Sequence, residues 1–148
     1  MNVPSARPLP TPSELTAPYW AAARQHRLVR PVCDECSRSF FTPQLICPHC
    51  LGEKWTYQTS TGRGNVYSST IVHRPPSPAL PAPYELAIVD MDEGWQLLTN
   101  IVTTGDEPTP IGARVEVTWI EIDDNWTFPA FHTIDAEDPR DEHRTCLQ

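Results

Sequence analysis

Four of the five cysteines stand in two Cys-x-x-Cys pairs, Cys33 with Cys36 and Cys47 with Cys50, and ten residues separate the pairs. Each pair can place two thiolates on one side of a tight turn. Two such turns facing each other form a tetrahedral cage of four sulfur atoms, which suits zinc. A pair of disulfides, a redox-active pair and an iron site are the alternatives. The spacing favours a structural zinc ribbon.

A cage of four thiolates leaves no open coordination position for water or substrate. The predicted zinc is therefore a structural cofactor that does no chemistry. A ribbon this short has almost no apolar core, so the metal must supply most of the free energy that folds it. Gly52 is expected to give the backbone conformational freedom just after the second turn. Ser37, just after the first turn, is less suited to that position than a glycine and carries a small backbone cost.

Composition and charge exclude several partners. The chain has 148 residues and a net charge of −8, which is room for a small metal module and one compact barrel. Ten acidic residues and two basic ones lie between Gly64 and His132, which argues against nucleic acid because phosphate binding needs basic clusters. No apolar run approaches the roughly 18 residues of a membrane span, and no secretory signal is evident. We therefore expect a cytoplasmic protein with no membrane partner.

The beginning of the chain combines a proline-rich arm with a short helix. Residues 1–15 contain four prolines and are expected to be extended. Residues 16–27 predict a helix with Thr16 as its N-cap. Such a helix is too short to be stable alone, so Tyr19 and Trp20 are expected to dock it onto the ribbon or onto another chain.

The chain from Gly64 onward has the pattern of a β structure. Five short runs rich in β-branched and aromatic residues predict a small closed barrel of the OB type. The strands are predicted at 66–73, 84–90, 95–102, 113–122 and 126–134. The segment 74–83 contains five prolines in ten residues and is expected to be a stiff loop.

The predicted fold is therefore mainly β, with an N-terminal helix, a short zinc ribbon and a five-stranded OB-fold barrel. Its parts are an extended arm (1–15), the helix plus ribbon (16–60), the OB-fold domain (61–134) and an acidic tail (135–148). The fifth cysteine, Cys146, lies in that tail, and the sequence assigns it no role.

No set of residues has the pattern of a catalytic site. Ser68 and Ser69 lack the Gly-x-Ser-x-Gly elbow of a nucleophile. The acidic run 90–94 is interpreted as a hairpin turn. Of the histidines, His73 at the edge of the proline-rich loop is the one to test as a site residue. We expect no catalytic residues and no enzyme activity in this chain alone.

These segments together resemble the proteins catalogued as domain-of-unknown-function family thirty-five. The resemblance covers roughly residues 16 to 133, and Ser37 and His26 stand where the family usually has glycine. The matching residues are Tyr19-Trp20, Leu28, the four cysteines with Pro48, Trp55, Gly62-x-Gly64-x-Val66-Tyr67-Ser68, Pro83-Tyr84, the run Ile88 to Gly94, Ile111-Gly112-x-x-Val115-Glu116-Val117 and Pro129-x-Phe131.

The resemblance implies a rubredoxin-like zinc ribbon followed by an OB-fold. It also implies a non-catalytic accessory subunit in a hetero-oligomer with a thiolase-like enzyme: an acetyltransferase, a thiolase or an aldolase. Such partners act on acyl-CoA or related acyl substrates, in some members during lipid or steroid side-chain degradation. The partner would carry the catalytic residues.

The predicted partner surface consists of aromatic residues of the helix and ribbon and of the stiff loop, which loses little entropy on docking. Its residues are Tyr19, Trp20, Phe40, Phe41, Pro75, Pro76 and Leu80. Two other functions stay open. An independent acyl-CoA-binding protein would need arginines such as Arg30 and Arg63 to converge on the phosphates. An OB-fold nucleic-acid adaptor is disfavoured by charge.

Overall fold

The computed structural model of this chain describes residues 8–102 and 107–134. The described part contains one helix and seven strands. These are α1 (Ala17–Ala23), β1 (Val29–Cys33), β2 (Trp55–Thr59), β3 (Arg63–Val72), β4 (Tyr84–Met91), β5 (Gln96–Ile101), β6 (Arg114–Asp123) and β7 (Trp126–Thr133). The predicted acidic tail with Cys146, and the first seven residues of the predicted arm, lie outside the described residues.

The ribbon is built on two antiparallel strands, β1 and β2. Their register runs from Val29 opposite Thr59 to Cys33 opposite Trp55. An isolated bridge between Val32 and Ser39 folds the chain after the first cysteine turn back onto β1. Both cysteine turns therefore lie in the connection between the two strands, at the end of the sheet where Cys33 sits.

The remaining five strands close into a barrel in the order β3-β4-β5-β7-β6, as predicted for an OB-fold. Neighbouring strands are antiparallel except for β5 and β7, which are parallel and pair only at Ile101 and Phe131. In β4 and β5, buried side chains alternate with more exposed ones, as a half-buried pleat requires. Its most deeply buried apolar side chains are Val66, Val89, Val115, Ala130 and Phe131.

The predicted strand bounds agree with the structure within one or two residues, except at the start of β3. That strand begins at Arg63, not Val66, because the stretch around Gly64 is strand and not turn. A Cβ at Gly64 would overlap the carbonyl oxygen of Asp90 on the neighbouring strand. This glycine therefore permits a close approach of two strands.

The helix is shorter than the predicted 16–27. It ends at Ala23, and the chain then turns through His26, whose φ is 55°. Thr16 does precede the helix, but its side chain makes no capping bond to it. Instead its hydroxyl oxygen accepts the Ser13 N–H at 2.9 Å. In the described part of the chain, no helix has the length and apolar character needed to cross a membrane.

The helix joins the ribbon to the barrel through aromatic contacts. Tyr19 is buried and belongs to the same apolar cluster as the barrel core. Its ring lies 5.3 Å from that of Phe41 in the ribbon. The Trp20 ring lies 5.5 Å from Trp126 and 5.4 Å from Phe128, both on β7. Ribbon, helix and barrel thus share one core.

A second connection between ribbon and barrel is made by Glu93 in the β4–β5 turn. Its carboxylate accepts the N–H of Thr61 at 2.5 Å and the hydroxyl of Ser60 at 3.2 Å. Arg30 of β1 lies 3.8 Å from the same carboxylate, and both side chains are mostly buried. Glu93 therefore holds the segment that links the two parts of the chain.

Glu85, on β4, is a carboxylate buried inside the barrel wall, with only 1% of its surface exposed. One oxygen lies 2.6 Å from the Ser69 hydroxyl and accepts the N–H of Thr109 at 2.6 Å. The other accepts the Thr109 hydroxyl at 2.9 Å. Because a buried charge requires such partners, this residue ties the loop before β6 to β3 and β4.

Replacement of Glu85 by alanine should lower the free energy of unfolding by about 3 kcal/mol, because several donors lose their acceptor in a buried place. Urea unfolding measures this difference. The matched control is Glu107→Ala, which removes an exposed carboxylate near the same loop and should change stability by less than about 0.5 kcal/mol. Equal stability of the two variants would contradict the assigned role.

Candidate functional site

The two cysteine turns have the same hydrogen-bond pattern. In the first, the Ser37 N–H donates to the carbonyl of Cys33 at 3.0 Å, and Ser37 has a φ of 60°. In the second, the Leu51 N–H donates to the carbonyl of Cys47 at 2.9 Å, and Leu51 has a φ of 65°. Each turn thus directs its two thiols to one side.

The expectation that Gly52 supplies the free backbone of the second turn is wrong. Leu51 adopts the left-handed conformation instead. A Cβ at Gly52 would lie 2.7 Å from the carboxyl carbon of Glu35, so the exposed Glu35 side chain would have to shift. Its carbonyl also accepts the Cys47 N–H at 2.8 Å.

The four sulfur atoms converge. All lie within 4.8 Å of one another, with 3.5 Å between those of Cys33 and Cys50 and 3.8 Å between those of Cys36 and Cys47. A tetrahedral zinc ion with bonds of about 2.3 Å requires sulfur atoms about 3.8 Å apart. The residues therefore fit zinc, and among residues 8–102 and 107–134 they are the one His, Cys, Asp or Glu cluster able to hold a metal ion.

The environment separates the pKa values of the two second-turn thiols. Burial raises the pKa of Cys47. Hydrogen bonds from the backbone N–H groups of His49 and Cys50 and from the neighbouring thiols lower this pKa by more than burial raises it, to about 7. For Cys50 the Gly52 N–H lowers the pKa, but the Cys33 thiol, burial and the other two thiols together raise it to about 12. The neighbouring thiols act in opposite directions on the two pKa values because the four sulfur atoms lie close together.

An aromatic cover lies beside the cage. Phe40 packs against the buried Cys33 and Cys47, and Trp55 lies next to it with ring centres 5.8 Å apart. The Trp55 indole N–H donates to the carbonyl of Gln44 at 2.9 Å, which fixes the connection between the two turns. These side chains shield the sulfur atoms on the inner side.

The outer side of the second turn exposes apolar side chains. Leu45 and Leu51 are exposed by 74% and 71%, and Ile46 by 45%. These exposed apolar side chains are accessible to a partner.

A groove of about 330 Å³ opens where the helix, the ribbon and the barrel meet. Its lining residues are all uncharged: Thr16, Tyr19, Trp20, Phe41, Thr42, Pro43, Leu97, Leu98, Thr99, Asn100, Phe128 and Pro129. The sequence did not predict this groove, because its walls come from segments far apart in the chain. We call it the junction groove.

The residues of the predicted partner surface fall into three groups. Trp20 and Phe41 are partly buried and line the junction groove. Tyr19 and Phe40, at 5% and 4% exposure, are core residues of this chain, so they offer a partner almost no area. The third group, Pro75, Pro76 and Leu80, lies in the predicted loop between β3 and β4, away from the groove lining.

Two of the arginines considered for an acyl-CoA site, Arg30 and Arg63, are already engaged. Arg63 lies 3.1 Å from the Glu116 carboxylate, and Arg30 is held by Glu93, the Ser39 hydroxyl and a backbone carbonyl. Of the residues in the predicted hairpin turn at 90–94, Glu93 accepts the hydrogen bonds of Ser60 and Thr61. His73 lies exposed at the end of β3.

Two family models match the chain in succession. Residues 20–56 match the model described as "ChsH2, rubredoxin-like zinc ribbon domain". Residues 57–119 match the one described as "ChsH2, C-terminal OB-fold domain". Together they cover the second half of the helix, the cysteine cage and the barrel as far as the middle of β6.

The curated relatives carry two kinds of name. A "probable enoyl-CoA hydratase alpha subunit" of Thermomonospora curvata is 38% identical over 125 residues, which are 84% of this chain and 39% of the relative. A "DUF35 domain-containing scaffold protein" of Pyrococcus furiosus is 32% identical over 101 residues, 67% of this chain and 74% of the relative. The chain therefore spans about two fifths of the hydratase subunit.

Among solved structures, the chain is similar to one titled "Ltp2-ChsH2(DUF35) aldolase". The sequence identity is 36% and the TM-score 0.76, and the match covers 84% of this chain and 98% of the other. The likeness thus extends over nearly all of the matched chain.

Replacement of Cys47 by serine should abolish stoichiometric zinc binding, because three thiolates no longer close the tetrahedral shell. Zinc is measured by elemental analysis after dialysis. Without metal the ribbon should lose its fixed structure, which the fluorescence of Trp55 reports. The control Cys146→Ser removes the fifth cysteine and should retain one zinc per chain. Equal zinc content in both variants would contradict the assigned ligands.

Zinc affinity should fall as the pH falls. Each thiol must lose its proton to bind the metal, and the Cys50 thiol, with a pKa raised to about 12, still carries its proton at neutral pH without metal. Protons therefore compete with zinc more strongly in acid, and we expect a marked loss of affinity from about pH 8 to about pH 6. Competition with a chelator measures it. An affinity independent of pH would argue against four-thiolate ligation.

Proposed function

Because this chain belongs to the DUF35 family of proteins with a rubredoxin-like zinc ribbon and an OB-fold domain, we propose that it is a non-catalytic subunit of an enzyme complex. Its partner is a thiolase-like enzyme, such as an aldolase, thiolase or acetyltransferase, that acts on acyl-CoA or a related acyl substrate. The single observation that carries this proposal is the similarity to the chain of the aldolase structure.

The metal centre supports a structural role. Four thiolates satisfy a tetrahedral zinc ion, so zinc bound there has no position for a substrate or an activated water. When bound, zinc supplies folding free energy to a ribbon with little core of its own. The chain's contribution to catalysis is then to present surfaces to the subunit that carries the reacting groups.

The surfaces proposed to meet the partner come from the helix, the ribbon and the barrel. They are the wall of the junction groove formed by Trp20 and Phe41 and the exposed apolar side chains of the second cysteine turn. Aromatic side chains are enriched at the centres of protein interfaces, where they bury large area at low entropic cost. We retain the loop with Pro75, Pro76 and Leu80 as part of the proposed surface.

The names of the relatives agree with this proposal in different ways. The scaffold name of the Pyrococcus furiosus protein describes a non-catalytic role. The hydratase subunit name belongs to a protein about two and a half times as long as the matched segment. Because the match covers only 39% of that protein, its name does not require hydratase chemistry of this chain.

Co-expression with thiolase-like proteins from the same genome tests the proposal. We expect one of them to form a stable complex with this chain in size-exclusion chromatography with light scattering. Thioester turnover should require that partner. Failure of every such protein to bind, or turnover of acyl-CoA by this chain alone, would contradict it. Calorimetry of the isolated chain with acetyl-CoA is the control, and appreciable binding would favour an independent acyl-CoA-binding protein.

A further inference from the structure

The sheet of the ribbon ends in a strand that is paired on one side. Strand β2 pairs with β1 along its whole length. The other side of β1 is covered, because an isolated bridge places Ser39 beside Val32 there. Within residues 8–102 and 107–134, no further strand pairs with β2. The side of β2 that faces away from β1 is therefore the outer edge of this sheet.

The alternation of strand hydrogen bonds shows which backbone groups of β2 lie on that edge. Opposite residues of an antiparallel pair alternate between bonded and non-bonded pairs. Beyond the two ends of β2, the Ser60 N–H donates to the Leu28 carbonyl at 2.8 Å and the Asp34 N–H donates to the Lys54 carbonyl at 3.0 Å. Even-numbered residues of β2 therefore bond to β1. Odd-numbered residues point their N–H and carbonyl groups away from it.

Five of these outward groups have no hydrogen-bond partner in the described part of the chain. They are the N–H and carbonyl groups of Trp55 and Tyr57 and the N–H of Thr59. The carbonyl of Thr59 is engaged, because it accepts a hydrogen bond from the Arg30 guanidinium at 2.6 Å. Every residue of β2 is exposed or half-buried. The edge is thus free from Trp55 to the N–H of Thr59.

The ring contacts of β2 do not close this edge, because they are made over a face of the sheet. Side chains of a strand stand roughly perpendicular to the sheet. The Tyr57 hydroxyl donates to the Leu15 carbonyl at 2.6 Å, and the Trp55 indole N–H donates to the Gln44 carbonyl at 2.9 Å. These bonds hold the segments around residues 15 and 44 over the sheet and not beside β2.

The outer edge of β2 lacks the features that keep edge strands from pairing with other chains. Such strands usually carry charged side chains, prolines or bulges. Residues 55–59 contain neither a charged residue nor a proline, and their register with β1 has no shift. An unprotected edge of this kind is suited to accept a strand from another chain.

Exposed apolar side chains lie next to the beginning of β2. Leu51 ends the second cysteine turn, which leads directly into this strand. The bond between the Trp55 indole and the Gln44 carbonyl holds the adjoining Leu45 and Ile46 close to β2. We call Leu45, Ile46 and Leu51 the turn patch. Because side chains of a strand alternate between its two faces, those on one face of an added strand would reach this patch.

We infer that the free edge of β2 binds an extended segment of the thiolase-like subunit, which pairs with it as an additional strand. The backbone of that segment bonds to Trp55 and Tyr57, and its apolar side chains contact the turn patch. Such strand addition gives affinity through the main chain and selectivity through the side chains. The paired stretch is uncharged, because β2 and the turn patch offer no counter-charge. This inference rests on the proposed function and specifies where the subunit docks.

A second copy of this chain fits the edge less well than the thiolase-like subunit. Antiparallel pairing of two copies about Tyr57 would place Trp55 of each copy opposite Thr59 of the other. The turn patch of one copy would then approach the ion pair of Arg30 and Glu93 in the other, which is a poor match for apolar side chains. Five residues per copy are also few beside the roughly 20–30 per side of a standard interface.

Amide hydrogen exchange, resolved to single residues, tests the pairing in the wild-type complex. In the free zinc-loaded chain the amides of Trp55 and Tyr57 should exchange fast, whereas those of Thr56 and Gln58 are bonded to β1 and should exchange slowly. Complex formation should slow exchange at Trp55 and Tyr57 at least tenfold. Amides of this pair that are already slow in the free chain, or that stay fast in the complex, would overturn the inference.

Thr59→Pro tests the edge by mutation. It removes an outward N–H and places a ring where the added strand would lie, whereas the exposed side chain it replaces and the bonds to β1 are not needed for the edge itself. The variant should retain its zinc, and its affinity for the partner should fall about tenfold. The control Thr59→Ala should lose less than threefold. Equal affinities of the two variants would overturn the inference.

The turn patch is tested by a matched pair of charged substitutions. Leu45 and Ile111 are exposed to a similar degree, 74% and 77%, but Ile111 lies on the barrel before β6. Leu45→Glu should weaken partner binding at least tenfold, because it places a charge against apolar side chains. Ile111→Glu should weaken it less than threefold. The opposite order would overturn the assignment of the patch to this site.

The two proposals fail in distinguishable ways. If no thiolase-like protein binds the wild-type chain, the proposed function and the docking site both fail. If the partner binds but the amides of Trp55 and Tyr57 remain unprotected, only the docking site fails. Protection of these amides in the free chain, together with a dimer mass in light scattering, would assign the edge to a second copy instead. Should Thr59→Pro not fold, the exchange result for the wild type decides.

Discussion

The cage of four thiolates is the constraint on which the ribbon depends. The ribbon places Phe40 and Trp55 beside the sulfur atoms, but these side chains form only a small cluster. One zinc ion held by four thiolates connects the two cysteine turns. It thereby fixes the segment between them, from which Phe41 contacts Tyr19 and Trp95.

The barrel is tied to the ribbon by packing and by one carboxylate. Tyr19 lies in a core that both parts share, and Glu93 accepts hydrogen bonds from the connecting segment while facing Arg30. The junction groove exists because these contacts hold the parts at one angle. A surface formed in this way depends on the whole chain and cannot be assigned to ribbon or barrel alone.

Local sequence signals predicted much of the fold, because they are encoded within short segments. The spacing of Cys33, Cys36, Cys47 and Cys50 determined the cage, and β-branched runs located the five barrel strands. The groove could not be predicted, because its walls meet only after tertiary packing. The role of Glu85 could not be predicted either, because nothing in the local sequence distinguishes a buried strand carboxylate from an exposed one.

Glu93 has one more consequence, which concerns mechanics. Its two carboxylate oxygens accept hydrogen bonds from the hydroxyl of Ser60, the backbone N–H of Thr61 and the indole N–H of Trp95. Bending the chain at this point would strain all of these bonds together, so the joint resists a hinge motion more than any single bond would. The ribbon and the barrel should therefore move as one body.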